Sequence, residues 1–382
     1  MANFDKPIKR KNTNSVKYDG AKRYFGTEID SPFWVADMDF ESPKFLKKAL
    51  QKKVKHGVFG YEELCNEFFS SIIFWQKLQN NISLKKHNIV FSSSVVASLG
   101  ACVRAYSEVG DEIVVFSPVY YPFFSVVEEN ERVVLNQELV YDSKEYKIDF
   151  DLLERSITAK TKLILFCSPH NPIGKIWQED ELKRLIQISI KYDLKIVSDE
   201  IHCDIVFDKF ISLASFESIQ DRLIVLNSPS KTFNLAGLSS SYAFSYSFDM
   251  LRDFKLELSK MHCNHLNSFS NIAMGVYCYD GKYWLIELLK YIEKNKNTVK
   301  KYLRDNNSKI KVVESNATYL LWLDFRDVGM GHKEVKERLL DAKIGLNDGE
   351  SFGMGGSGYF RLNIATQNKN LKKVLEKLIN LF

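Results

Sequence analysis

The sequence has no paired cysteines, no long apolar run and no strong excess of either charge, and each absence limits what the protein can be. Its six cysteines include no C-x-x-C pair, so in a reducing cytoplasm we expect them to be small buried apolar side chains. No apolar run approaches the roughly 20 residues that span a bilayer, and residues 1–15 lack the apolar segment of a signal peptide. We therefore expect a cytoplasmic protein with no membrane partner.

Two kinds of partner, nucleic acid and metal ions, have little support in the sequence. The 53 basic and 48 acidic side chains leave a formal net charge of +5 over 382 residues, with no basic cluster of the kind that binds nucleic acid. The group that resembles a metal site is His262-Cys263-Asn264-His265, but no distant pair of ligands matches it. We expect neither nucleic-acid binding nor a metal site.

The apolar pattern from residue 89 onward alternates between strands and helices. Spacings of about 25 to 35 residues between strands, with helical patterns between them, predict βαβ units around a mainly parallel, buried sheet. The predicted strands are Ile89–Ser92, Glu112–Ser117, Arg132–Glu138, Lys162–Cys167, Lys195–Ser198, Arg222–Leu226 and Ser239–Ser245. The fold class is therefore α/β, with a mainly parallel seven-stranded sheet flanked by helices.

The length of 382 residues predicts two domains, because a single hydrophobic core stops growing at roughly 250–300 residues. Residues 41–282 would form the large domain that contains the sheet. After a long helical pattern, Tyr283–Asp305, strands and helices no longer alternate regularly, so residues 283–382 would form a smaller α+β domain. Residues 1–40 are polar and irregular, and we expect this N-terminal segment to join the small domain.

Polar or aromatic groups follow five of the predicted strands. Ligands of open parallel sheets bind at the carboxyl ends of the strands, so these groups could converge on one crevice. They are the helix start at Val95–Val96, Tyr120, Asn171, the pair Asp199 and His202, and the turn with Ser228, Ser230 and Lys231. Each also has a purely structural explanation. Asn171 could cap its turn and Asp199 a helix, Tyr120 could serve packing, His202 could be a satisfied core histidine, and Lys231 could be a solvated loop lysine.

Taken together, these groups match the requirements of one cofactor. Pyridoxal phosphate needs an amine for its aldehyde, a carboxylate for its pyridinium nitrogen, donors for its phenolic oxygen, a stacking ring and a cradle for its phosphate. A lysine that supplies the amine must be held near neutral, which requires burial or a neighbouring cation. The sequence therefore predicts pyridoxal 5'-phosphate as the cofactor, with Lys231 as its attachment point.

The order of motifs along the chain resembles a known family. N-P-I-G (171–174), D-E-I-H (199–202) and S-P-S-K-T-F-N-L-A-G-L (228–238) are similar to the motifs of the fold-type I, or aspartate aminotransferase-like, pyridoxal-phosphate superfamily. Within that superfamily, V-A-D-M-D-F (35–40), S-P-H-N-P-I-G (168–174) and S-D-E-I-H-C-D (198–204) resemble the cystathionine β-lyase, or cysteine C–S lyase, subgroup. The resemblance covers about residues 30 to 366.

The resemblance implies a role for each group at the cofactor. Lys231 would hold the cofactor covalently and serve as the proton-transfer base, and Asp199 would pair with the ring nitrogen. The remaining contacts that it implies are Asn171 and His202 at the phenolic oxygen, Tyr120 stacked on the ring, and Ser228, Ser230, Val95 and Val96 around the phosphate. His202 stands where many relatives have tyrosine.

The resemblance also implies a substrate site and a homodimer with shared active sites. Arg361, in Y-F-R-L-N-I-A, would clamp the substrate carboxylate in a bidentate fork, with Asn171 and Ala36 beside it. Tyr61 would act as a catalytic residue that reaches the phosphate from the other subunit. From the residues alone, Arg361 lies in an apolar strand, where a guanidinium needs an anionic partner, so an internal ion pair is the alternative.

Three details of the motifs stay open at this level. Ser94 opens the phosphate-binding helix where relatives usually have glycine, which could reshape the phosphate cradle. Ala317-Thr318 stands where relatives usually have Gly-Thr. The two aspartates of V-A-D-M-D-F, Asp37 and Asp39, could simply cap the helix that follows Pro43.

The activity that the resemblance implies is β-elimination from a cysteine S-conjugate, most of all cystathionine. The thiolate would leave Cβ, and the products would be a thiol (homocysteine from cystathionine), pyruvate and ammonia. Two alternatives use the same fold: transamination between an amino acid and a 2-oxo acid, and a regulatory binding protein. Which of these reactions takes place depends on the groups around Cβ of the bound substrate.

Overall fold

The computed structural model describes residues 2–263 and 265–382, so Asn264 of the group His262–His265 lies outside the described residues. The helices are α1 Ala21–Phe25, α2 Lys44–His56, α3 Asn66–Asn80, α4 Val95–Tyr106, α5 Pro122–Glu128, α6 Phe150–Ser156, α7 Glu179–Lys191, α8 Ser230–Phe233, α9 Phe248–Lys260, α10 Ser268–Asp305, α11 His332–Asp341 and α12 Asn368–Leu381. The strands are β1 Ser31–Pro32, β2 Ile89–Ser92, β3 Glu112–Ser117, β4 Val133–Glu138, β5 Val140–Tyr141, β6 Tyr146–Lys147, β7 Thr161–Cys167, β8 Lys195–Asp199, β9 Leu223–Asn227, β10 Ser241–Phe244, β11 Lys311–Val312, β12 Leu320–Asp324, β13 Ile344–Gly345, β14 Asn347–Asp348 and β15 Tyr359–Asn363.

The seven predicted strands form one sheet, in the order β2-β10-β9-β8-β7-β3-β4. The strands from β9 to β4 run parallel to one another, and β10 is antiparallel to both of its neighbours. The prediction of a mainly parallel seven-stranded sheet is therefore confirmed.

The sheet is covered by apolar side chains on both faces, as its parallel strands require. Along β3, Ile113 and Val115 belong to a cluster with side chains of α4, α5 and α9, whereas Val114 and Phe116 belong to the larger cluster on the opposite face. Successive side chains of a strand point to opposite faces, so this short apolar run supplies two cores. The burial explains why the strands could be recognised as continuous Val, Ile and Leu runs.

The long helix α10 begins at Ser268, well before the predicted start at Tyr283. The sequence pattern places the start of this helix after Gly281, a residue type that weakens helices. In the structure Gly281 lies inside the helix, where an added Cβ would come within 2.8 Å of the Phe233 ring and 3.1 Å of the Trp75 ring. Close packing against α3 and α8 therefore overrides the local propensity.

A second, antiparallel sheet of order β11-β12-β15-β14 lies in the C-terminal part of the chain. The N-terminal segment contacts β15 of this sheet, where the Asn363 N–H donates to the Phe33 carbonyl over 2.9 Å, and it also forms a separate two-stranded sheet in which Ser31 of β1 pairs with Ile344 of β13. The proposed division near residue 282 falls within the continuous helix α10 and stays a prediction. Within the described ranges, no helix combines the length and the apolarity needed to cross a bilayer.

Candidate active site

The carboxyl ends of β7, β8 and β9 and the start of α4 surround a cavity of about 320 Å³. Eleven of the twelve site residues that the sequence analysis predicts contribute to its lining. They are Ala36, Val95, Val96, Tyr120, Asn171, Asp199, His202, Ser228, Ser230, Lys231 and Arg361. Tyr61 is the exception: it does not line this cavity, and its side chain is fully exposed.

Lys231 lies in the first turn of α8, directly after β9. Its Nζ donates a hydrogen bond to the Ala36 carbonyl over 2.9 Å. Removal from water lowers the pKa of Lys231 to about 8, and the positive charge of Arg361 adds to the effect. Burial therefore brings this amine closer to the neutral form that a nucleophile or a base requires.

Asp199 ends β8 and lies in the wall of the same cavity as Lys231. Burial raises the pKa of Asp199 to about 7, opposed by the Ile201 N–H, which donates to Oδ1 over 3.1 Å, and by the Lys231 charge. A nearby cation would restore its ionised form. Asp199 does cap a local turn through Ile201, but a carboxylate this buried also calls for a charged partner inside the cavity.

His202 is buried, and its Nδ1 has no hydrogen-bond partner within the described part of the chain. Burial, together with the positive charges of Lys231 and Arg361, lowers the pKa of His202 well below its usual value, so the ring is neutral. The alternative of a satisfied core histidine is not what the structure shows. A neutral imidazole with an unused nitrogen can exchange a hydrogen bond with a bound molecule.

Arg361, in the middle of β15, is buried without a carboxylate partner among the described residues. Its Nη1 donates to the Asn171 Oδ1 over 2.9 Å and its Nη2 to the Trp34 carbonyl over 2.9 Å, while Nε has no partner there. Burial lowers the pKa of Arg361 to about 10. The described part of the chain therefore contains no internal ion pair of Arg361, and the guanidinium remains available for an external anion.

Several buried polar atoms of the cavity lining have no hydrogen-bond partner in the described structure. They are His202 Nδ1, Arg361 Nε, Ser240 Oγ and Asn347 Oδ1. Such atoms are rare in folded proteins, and each calls for an explanation such as a bound ligand. Four of them around one cavity that also holds an amine, a carboxyl and a guanidinium fit a polar, charged cofactor and its substrate.

One end of the cavity is formed by the N-terminus of α4. Ser94 is the N-cap of this helix and accepts a hydrogen bond from the Ala97 N–H over 3.1 Å. The N–H groups of Val95 and Val96 come first in the helix and have no intrahelical acceptor, which is the usual setting for a phosphate. The serine that stands in place of glycine therefore strengthens the helix start and leaves these donors in place.

The turn after β9 supplies hydroxyls to the same end of the cavity. The Ser228 hydroxyl donates to the Ser240 carbonyl over 2.6 Å and accepts from the Ser230 N–H over 3.0 Å. Ser228 therefore also shapes the turn that presents Lys231. Ser239 and Ser240, which the sequence interpretation missed, line the cavity beside it, and no motif marked them.

The aspartates of V-A-D-M-D-F do not cap α2, whose N-cap Pro43 has no side-chain cap. The Arg10 guanidinium donates to Asp37 Oδ2 over 2.6 Å and to Asp39 Oδ1 over 2.8 Å, and the fully buried Lys17 donates to Asp39 Oδ2 over 2.9 Å. The helix-cap interpretation is wrong. These ion pairs hold the backbone that presents the Ala36 carbonyl to Lys231.

A buried polar network behind Lys231 was also missed. Both oxygens of Asp204 accept from the Trp75 Nε1, over 3.1 and 3.0 Å, and Oδ2 accepts from the Thr232 hydroxyl over 2.7 Å. Thr232 follows Lys231 in α8, so the bond ties the short helix to a distant part of the core. A buried carboxylate needs such partners. Asp204 is the last residue of S-D-E-I-H-C-D, and an aspartate in this apolar part of the chain is the sequence signal for a buried hydrogen-bond network.

We expect Thr232→Val to destabilise the cofactor-free protein more than Thr232→Ser, although valine is closer to threonine in volume. Valine leaves Asp204 short of a buried donor, which costs about 1–3 kcal/mol, whereas serine keeps the hydroxyl and loses one methyl group, about 0.8 kcal/mol. Urea unfolding of the two variants measures the difference. A larger loss for serine would contradict this role of the hydrogen bond.

Comparison with known proteins finds the same sequence pattern and fold in one group of proteins. Residues 35–378 match the family model described as aminotransferase class I and II. The chain is 35% identical to cystathionine beta-lyase PatB of Bacillus subtilis (strain 168) over 381 residues, which are 97% of this chain and 98% of that protein.

Two solved structures carry the same fold over the whole chain. One is cystalysin from Treponema denticola, which contains a pyridoxal 5'-phosphate cofactor, with a TM-score of 0.96, 32% identity and coverage of 100% of this chain and 98% of that one. The other is the pyridoxal-phosphate-bound C–S lyase from Staphylococcus hominis, with a TM-score of 0.91, 29% identity and coverage of 100% and 98%.

Proposed function

This chain belongs to the class I and II aminotransferase family, and from that premise we propose that it is a pyridoxal-phosphate-dependent carbon–sulfur lyase. It cleaves cystathionine or another cysteine S-conjugate by β-elimination, and with water the products are a thiol, pyruvate and ammonia. One observation carries the proposal: Lys231, Asp199 and Arg361 line one cavity in which several buried polar atoms have no partner among the residues that the structure describes.

The residues of the cavity fit pyridoxal 5'-phosphate group by group. Asp199 would pair with the ring nitrogen, whose positive charge also relieves the buried carboxylate. Asn171 and the neutral His202 would contact the phenolic oxygen. The phosphate contacts would come from the N–H groups of Val95 and Val96 and from Ser228 and Ser230, and Tyr120 would lie along the ring.

When bound, the cofactor supplies an aldehyde for the substrate amine and a ring that withdraws electrons from the substrate Cα. Arg361 binds and orients the substrate carboxylate through the guanidinium face that its protein contacts leave unused. Lys231, with a pKa of about 8, removes the Cα proton as a base matched to neutral pH. The electron pair of the Cα–H bond would then form a Cα=Cβ double bond as the Cβ–S bond breaks, and the thiolate would leave with the electron pair of that bond.

Transamination is the second candidate, because the matching family model describes aminotransferases. The discriminating experiment incubates the enzyme with cystathionine and no added 2-oxo acid. We expect steady release of pyruvate, measured with lactate dehydrogenase, and an equal amount of free thiol. Turnover that begins only after a 2-oxo acid is added would replace the lyase assignment with transamination.

We also propose a homodimer with shared active sites. Tyr61 is fully exposed, Val58 and Phe59 beside it are 60% and 57% exposed, and Phe59 contacts Phe269 with ring centroids 5.6 Å apart. An apolar surface of this kind supports contact with a second copy, which would bring Tyr61 to the phosphate of its neighbour. Sedimentation equilibrium that gives a monomer at micromolar concentration would contradict the proposal.

The thiols of the cysteines at positions 65, 102, 167, 203 and 263 are free. Unpaired thiols are the usual state in a reducing compartment. They support the proposal that the enzyme acts in the cytoplasm. Their detection with a thiol reagent after unfolding in the absence of reductant checks this state, and protected thiols would contradict it.

A further inference from the structure

The open side of the active-site cavity is apolar and aromatic. Val16, Tyr24 and Tyr121 line it and are 57%, 49% and 45% exposed in the single chain, so they lie where the cavity of one chain opens. Trp34 lies behind Tyr24 with the two rings stacked and their centroids 4.1 Å apart. We call Val16, Tyr24, Trp34 and Tyr121 the aromatic mouth.

The aromatic mouth adjoins the carboxylate-binding arginine. Trp34 accepts the Arg361 hydrogen bond through its carbonyl oxygen, and the Arg361 charge acts on the pKa of Tyr24, while Tyr121 acts on that of Arg361. A substrate held by its carboxylate at Arg361 and by its amine near Lys231 therefore has the mouth beside it. The sulfur substituent has to extend that way, because the cavity of about 320 Å³ must also hold the cofactor.

The charged side chains of the lining are already assigned. In the described part of the chain they are Asp199, Lys231 and Arg361, and the cofactor and the α-amino acid group of the substrate engage all three. The neutral Asn347 amide and the Ser239 hydroxyl are polar but cannot balance a charge.

Besides Arg361, the charged groups that act on the pKa of Tyr24 are Asp348 and Lys336, and these two pair with one another. Asp348, which acts on the pKa of Tyr24, accepts a hydrogen bond from the His332 Nε2 over 2.8 Å and pairs with the Lys336 Nζ at 2.7 Å. His332 Nδ1 in turn accepts from the Gly358 N–H over 2.9 Å. A zwitterion at the far end of a substrate would therefore lose water without gaining an ionic partner from this group.

We propose that the enzyme prefers cysteine S-conjugates whose sulfur substituent is uncharged and apolar or aromatic, and that Tyr24 is a determinant of this preference. Cystathionine carries an ammonium and a carboxylate at the far end of its substituent, whereas a benzyl group offers a ring that can pack in an offset or edge-on geometry against Tyr24 and Tyr121. The inference rests on the proposed lyase function and adds the class of substrate.

The first experiment compares kcat/KM for S-benzyl-L-cysteine and L-cystathionine, with pyruvate as the readout for both. We expect a ratio of at least about tenfold in favour of the benzyl conjugate, the scale on which apolar pockets discriminate. A ratio of one or less overturns the proposed preference and leaves the lyase function intact. Pyruvate from neither compound would instead overturn the lyase function.

Two substitutions at one position test whether the aromatic mouth sets the ratio. Tyr24→Phe keeps the ring and its stacking on Trp34, so the ratio should stay within about twofold of the parent, whereas Tyr24→Ala should lower it about fivefold or more, mainly through KM of the benzyl conjugate. Phe248→Ala, which removes an aromatic side chain that is 77% exposed outside the cavity lining, is the control and should leave the ratio unchanged.

The substrate ratio separates recognition from a general loss of structure. If Tyr24→Ala lowers kcat/KM for both substrates by the same factor, Tyr24 has no role in selection and its assignment fails. Competition supplies a readout independent of benzyl turnover. S-benzyl-L-cysteine should inhibit cystathionine cleavage more weakly in Tyr24→Ala than in Tyr24→Phe, and equal inhibition constants would contradict the proposal.

Discussion

Lys231→Ala is expected to abolish pyruvate release, with a fall in kcat on the order of 10³-fold or more, since a positioned general base alone contributes about 10²–10⁴-fold. The variant also loses the amine that attaches the cofactor, so the visible absorbance of the lysine-bound cofactor should disappear. Lys231 combines both tasks because its Nζ lies in the cavity, bonded to the Ala36 carbonyl, with a pKa lowered to about 8. Absorbance spectra and a pyruvate assay measure the two effects on one sample.

Two matched variants show whether the loss belongs to this lysine. Lys231→Arg keeps a positive charge but has no nucleophilic amine at neutral pH. Its absorbance spectrum and turnover should therefore resemble those of Lys231→Ala. Lys333→Ala removes a lysine that is 91% exposed and should behave like the parent. A visible band or steady turnover that survives in Lys231→Ala would contradict the assignment, and a biological effect that survives without turnover would favour a regulatory binding role.

Replacement of Arg361 should produce the second largest effect, on substrate binding. Its guanidinium is buried with neutral protein partners, Asn171 and the Trp34 carbonyl, so the substrate carboxylate would be its ionic partner. A charge-assisted hydrogen bond contributes about 1.5–3 kcal/mol. Loss of the fork in Arg361→Ala should therefore lower kcat/KM about 100-fold, at 1.36 kcal/mol per factor of ten.

A comparison of ligands with and without the carboxylate isolates that interaction. The decarboxylated analogue of the substrate, an amine thioether, should inhibit the parent and Arg361→Ala with similar constants, whereas the amino acid should lose affinity in the variant. Arg361→Lys keeps the charge but cannot form the bidentate fork. Its affinity for the amino acid should therefore lie between those of the parent and of Arg361→Ala. Equal losses for both ligands would point to a structural role, because removal of the side chain would then disturb the cavity as a whole.

The two predictions depend on different levels of information about the molecule. Lys231 and Asp199 could be found in advance because each directly follows an apolar strand, and strand ends of a parallel sheet share one edge. That Arg361 is available to bind a substrate anion could not be predicted, because this depends on which groups surround the guanidinium. Its contact with the Trp34 carbonyl joins residues 327 positions apart, and no local pattern encodes such a distance.

Predictions based on local propensity alone were wrong for the same reason, which is that contacts between distant segments are not encoded locally. The sequence pattern starts the long helix only after Gly281, but the lack of a side chain at this residue lets α10 continue through it, close to the Phe233 and Trp75 rings. Asp37 and Asp39 were considered helix caps, but Arg10 and Lys17 engage them as ion pairs. In both cases a partner distant in sequence decided the role of the residue, and propensity acts only as a weak prior against such contacts.

The sequence by itself determined the alternation of strands and helices, the mainly parallel sheet and the groups at its carboxyl edge, because periodicity and order along the chain are local properties. Only the tertiary structure decided that Arg361 has neutral partners and no anion among the described residues, that Asp204 ties Thr232 to Trp75, and that Val16, Tyr24, Trp34 and Tyr121 meet at the opening of the cavity. These features arise from contacts between distant segments, and their energies depend on burial, which exists only once the chain has folded.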